Sequence, residues 1–98
     1  MNKAEFNAQV TALLSRAKKI GFDQYDKAID VVDDFESFTK EHHQYFYNYI
    51  TEEIDGIRND FERMKKYKNS YTKREYYGSA IKGLEHDIES MLNNKVPE

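Results

Sequence analysis

The chain has no cysteine and no tryptophan, a single proline at position 97, and four glycines that never sit side by side. Each shortage closes something off. Without cysteine there is no disulfide framework, no thiolate chemistry and no zinc site of the usual cysteine-rich kind. Glycines at 21, 56, 78 and 83 stand alone, so no loop resembles a phosphate cradle. No apolar run approaches the ~20 residues that a membrane span requires, and the N-terminus lacks the charged-then-apolar plan of a secretory leader. The expectation is a cytoplasmic, soluble protein with no membrane partner, although leaderless secretion would leave no mark to read.

Recognisable catalytic signatures are missing too. No local motif clusters Ser, His and Asp, and the Glu-x-x-His pattern of di-iron bundles does not occur. Adjacent carboxylates such as Glu52 and Glu53 read as a solvated helix surface. The sequence therefore points away from an enzyme, and it calls for no cofactor and no metal.

What remains is a 98-residue chain that is 34% charged yet carries eight Tyr and six Phe, which is too aromatic for a disordered acidic chain. One folded domain over 1–98 is the expectation. Its net charge of -3 argues against avid, nonspecific binding to nucleic acid.

Few breakers and regular apolar spacing make the fold class all-α. A first helix over about 3–20 opens at Asn2, with Glu5 placed as in a capping box, and carries Phe6, Val10, Leu13, Ala17 and Ile20 on one face. Gly21 ends it, and Asp23 is the expected cap of the next. From Tyr25 to Tyr71 the apolar positions, among them Ala28, Val32, Phe35, Phe46, Ile50, Ile57 and Phe61, stay within an arc of about 100°. That constancy predicts one long central helix over about 23–68. Thr72 and Glu75 form a capping box for a last helix over about 72–93, and residues 94–98 read as a frayed tail.

A 46-residue helix spans about 69 Å, so the two outer helices would tile it end to end. Three helices arranged this way form an antiparallel bundle only two helices thick, which predicts a homodimer that completes the cross-section. The alternative is a bend near Thr39 or Thr51, which closes a monomeric four-helix bundle.

Two stretches stand out as candidate surfaces. EHHQYFYNYI, residues 41–50, places His43, Tyr45, Tyr47 and Tyr49 around the core positions Phe46 and Ile50. Tyrosines bridging core and water explain most of it, and a protein-binding patch is the functional reading. His42 and His43 point about 100° apart on a helix, too far to chelate one ion. RMKKYKNSYTKR, residues 63–74, holds Arg63, Lys65, Lys66, Lys68, Lys73 and Arg74 with no acid, whereas residues 23–36 hold six acids against Lys27. Matching to the dipole of one long helix accounts for that polarity, and antiparallel pairing of two copies would use it too. Nucleic-acid contact through the bases and tyrosines of 63–77 is a further reading.

The function expected from these features is that of a non-catalytic helical protein acting by protein–protein interaction, as an adaptor, inhibitor or immunity-type factor. A nucleic-acid accessory role and a structural coiled-coil element are the alternatives.

Overall fold

The computed structural model describes residues 1–98 and is all-helical, with four helices packed together. They are α1 (Lys3–Lys18), α2 (Tyr25–Glu41), α3 (Ile50–Met64) and α4 (Ser70–Ser90), with short 3-10 turns over His43–Tyr45 and Met91–Asn93. Each helix packs on the next in sequence, and α4 closes on α1. The result is an up-down-up-down bundle in which the α2–α3 loop lies at one end. The α1–α2 and α3–α4 turns share the other.

In place of the expected helix over 23–68 there are two helices, because residues 42–49 leave the helical path. Physical causes are readable in HHQYFYNY itself. Seven of its eight residues are His, Tyr, Phe or Asn, and Gln44 alone is a strong helix former. Aromatic side chains lose χ1 freedom against the preceding helical turn, and Asn competes for the backbone. No glycine or proline is needed. The 3-10 turn satisfies Tyr45 and Phe46 N–H through the carbonyls of His42 and His43, and Phe46 then turns extended at φ -122°, ψ 153°. Breaking the helix lets α3 fold back on α2, so each apolar stripe buries the other. Ala28, Val32 and Phe35 of α2 and Ile54, Ile57 and Phe61 of α3 all enter one core cluster with α1 and α4. The uncovered stripe from which a dimer was expected is thereby covered within one chain.

Several local expectations change with it. Asn2 caps α1 by accepting from Glu5 N–H at 2.9 Å, as its position implied, whereas Asp23 does not cap α2. Asp23 instead takes the left-handed conformation, φ 63°, which Asp tolerates better than most residues, and pairs with Lys73 of α4 at 2.7 Å. The cap of α4 is Asn69, whose Oδ1 accepts from Tyr71 and Thr72 N–H, rather than a Thr72–Glu75 box. The terminal segment is not frayed. Lys3 N–H donates to the Pro97 carbonyl at 2.7 Å, Lys3 Nζ reaches the carbonyls of Leu92 and Asn94, and Val96 is buried.

Candidate functional site

At the α2–α3 end, Phe6 of α1 is the centre of an aromatic cluster. Its ring lies 5.2 Å from Phe38, 5.9 Å from Tyr45 and 6.0 Å from Phe46. This contact pulls Tyr45 inward. Of the four residues named from the sequence as a protein-binding patch, Tyr45 is therefore half-buried at the core edge, while His43, Tyr47 and Tyr49 face water. The break in the helix creates that division, because extended Phe46 turns its ring onto Phe38 and sends its neighbour outward.

Tyr47 and Tyr49 form a pair on the far side of the loop, their rings 4.1 Å apart and tilted by 32°. They keep 37% and 56% of their surface exposed. The Tyr47 hydroxyl donates to Glu53 Oε2 at 2.8 Å, which ties the loop to the first turn of α3. Partial burial, followed by that hydrogen bond and the Glu53 charge, raises the Tyr47 phenol well above its ordinary value. Asp87 of α4 belongs to the same neighbourhood, and burial together with the Glu53 charge raises its carboxyl. The arrangement offers two flat, amphipathic rings held at fixed separation, a hydroxyl locked as a donor, and two carboxylates behind them. It holds no nucleophile beside a base. No three His, Asp or Glu side chains converge in a way that would hold a metal ion.

The opposite end collects the basic stretch. Lys73 is neutralised by Asp23, Lys65 Nζ lies 3.8 Å above the Tyr25 ring, and the Arg74 guanidinium lies 4.4 Å above Phe22. The Tyr25 hydroxyl in turn bonds Glu62 of α3. These contacts fasten the α1–α2 turn to the α3–α4 turn, a role the sequence did not disclose because the partners are 37 to 52 residues apart and meet only once the long helix is broken. Arg63, Lys66 and Lys68 remain exposed and make no ion pair within the chain. Tyr77 of α4 is core, whereas Tyr71, which the spacing placed in the central apolar stripe, is 70% exposed.

Three acids of α2 are claimed from neighbouring helices, whereas Asp26 and Asp30 make no ion pair. Arg58 of α3 reaches Asp33 at 2.5 Å and Glu36 at 3.5 Å, and Arg16 of α1 reaches Asp34 at 2.5 Å. Charge polarity that would pair two copies instead pairs neighbouring helices of one, at the small energies typical of exposed ion pairs. No helix is long and apolar enough to cross a membrane.

No family model, curated protein or solved structure matches the chain.

Proposed function

We propose that the protein is a non-catalytic binding module, an adaptor, inhibitor or immunity-type factor that engages a protein partner through the α2–α3 loop. One observation carries the reading: Tyr47 and Tyr49 pair with each other at the surface, while their neighbours Tyr45 and Phe46 pack against the core. Rigid, half-exposed tyrosines contribute contact area at low conformational-entropy cost, which is why such residues anchor protein interfaces. Exposed and paired, these rings suit a surface completed by another chain.

In this reading the working unit is a monomer, since the bundle buries both halves of the stripe without a second copy. A purely structural coiled-coil role loses its support for the same reason. The test is affinity capture from the native host with the wild-type chain and with a Tyr47→Ser/Tyr49→Ser variant as parallel baits. A specific captured protein should fall at least about tenfold in the variant, the effect of losing a hot spot of ~1.4 kcal/mol or more, while the melting temperature stays near wild type. Equal capture by both baits would refute the assignment.

A further inference from the structure

We propose that the opposite end of the bundle, where the α1–α2 and α3–α4 turns meet, binds single-stranded nucleic acid, with Arg63, Lys66 and Lys68 on phosphates and Tyr71 as a stacking face. The proposal uses no residue of the Tyr47–Tyr49 surface, so either can fail without the other.

The argument begins with charges that the fold leaves unexplained. Residues 63–74 carry six bases and no acid, and one of them, Lys73, is paired with Asp23, while Asp26 and Glu62 lie around Tyr25 at the same end. Lys65 and Arg74 are engaged by aromatic faces, contacts that hold the side chains but keep their charge. Arg63 is in the last turn of α3, where a cation meets the negative end of the helix dipole. Lys66, one residue past the Lys65 C-cap, shares that end, whereas Lys68 has no such account. Lys68 directly precedes Asn69, the cap of α4, so it stands at the positive end of a 21-residue helix whose first turn has no acid. A cation there opposes the dipole, so folding gains nothing from it.

The aromatic surface has the same character. Tyr71, in the first turn of α4, is the most exposed large hydrophobic residue of the chain and makes no ring contact of its own. Nearby in sequence, Tyr67 and Tyr76 lie parallel within 3° at 4.8 Å, so flat faces stack in this region already. Unpaired cations within eight residues of an open tyrosine ring in sequence match a ligand that alternates phosphates with planar bases, and stacking tolerates any base because each has a π-face. An acidic protein segment would satisfy the cations and leave the ring without a use. Duplex DNA would likewise hide its base faces.

Three phosphates neutralised on a single strand give a slope of about −2 in log affinity against log salt, so raising salt from about 50 to 200 mM should weaken binding ~20-fold. The experiment is fluorescence anisotropy with labelled oligothymidylate and oligouridylate of about 12 nucleotides, a length within the span of known single-strand sites. Binding at low salt should show that dependence. Lys66→Glu/Lys68→Glu should abolish it, and Tyr71→Ala should weaken it roughly 5- to 150-fold, the range for losing one stacked base. All three side chains are exposed, and helicity by circular dichroism verifies the fold. Should the charge reversal unfold the chain, Lys66→Gln/Lys68→Gln serves in its place. The proposal is overturned by absence of binding at low salt, by wild-type affinity in Tyr71→Ala, or by polyglutamate competing as well as unlabelled oligonucleotide.

Discussion

Phe6→Ala should be among the most damaging single truncations in the molecule, and its size can be worked from the surroundings of the ring. Phe6 is fully buried and holds α1 to two other elements: α2 through Phe38, and the loop that follows it through Tyr45 and Phe46. An aromatic ring buries some 150–250 Å², worth about 4–6 kcal/mol at ~25 cal/mol per Å², and this is an upper bound because the unfolded chain hides part of that area. Measured Phe→Ala changes in cores cost about 3–5 kcal/mol, so the two routes overlap near 4. Against a total stability of about 5–15 kcal/mol, such a loss lowers the melting temperature by roughly 12 °C or more for a domain this small. Thermal melts by circular dichroism supply the number. Hydrogen exchange supplies the location, since loop amides such as Phe46 N–H, bonded to the His43 carbonyl, should lose protection before those of mid-α4. Tyr47→Ala is the internal control: its ring is outside the cluster and should cost no more than about 0.5 kcal/mol. If Phe6→Ala melts within about 4 °C of wild type, or no lower than Tyr47→Ala, then the loop is not anchored on Phe6 and the division between inward and outward aromatics is wrong.

Asn69→Ala removes the acceptor for two N–H groups at the start of α4 and should destabilise by about 1 kcal/mol in a urea titration, whereas Thr72→Ala should not show a capping loss. Tyr25 is pushed up to about 12 by partial burial and then by its hydrogen bond to Glu62 and the Glu62 charge. Because the folded value lies above the unfolded 10.0, the contribution is fully present below pH 10.0 and is lost as pH rises toward about 12, so Tyr25→Phe should flatten the alkaline fall in stability, checked by melts across that window. Asp87 is raised by burial and by Glu53, so its ionisation disfavours the folded state as pH climbs past 3.8; Asp87→Asn should raise the melting temperature at neutral pH, and a lowered one would contradict the sign. Light scattering at micromolar concentration should return the mass of one chain, and twice that mass would restore the dimer expected from an unbroken helix.

The sequence made the class of fold and most of the core legible, and the reason is periodicity. Phe6, Val10, Leu13 and Ala17 on α1, and Tyr77, Leu84 and Ile88 on α4, are buried where their spacing places them. The central break was not legible from the same signal. A stripe that keeps its phase across eight residues fits one long helix and equally fits two helices whose faces turn toward each other, because phase records angle and not continuity. The discriminating signal was composition: HHQYFYNY is poor in helix formers, and its aromatic rings find better packing on Phe6 and Phe38 than on a helix surface. Tyr71 failed for a related reason. Its angle matches the stripe, but it belongs to the first turn of α4, where neighbouring helices no longer cover it.

The charge pattern also depends on the break in the central helix. On one long helix, acids at 23–36 and bases at 63–74 would complement a single dipole. On two antiparallel helices the bases are divided between the favourable end of α3 and the unfavourable end of α4, so dipole matching covers Arg63 and leaves Lys68 opposed. Asp23, Asp33, Asp34 and Glu36 meanwhile find Lys73, Arg58 and Arg16 within the chain, and Asp26 and Asp30 stay solvated. A charge pattern that seemed self-explanatory thus separates into groups satisfied by folding and a remainder that is not. The aromatic residues separate in the same way, Phe6, Phe38 and Phe46 inward, Tyr47, Tyr49 and Tyr71 outward. Both remainders fall at loop ends of a bundle whose helix faces are already committed to one another, and it is there that a stable four-helix scaffold is free to present chemistry to something else.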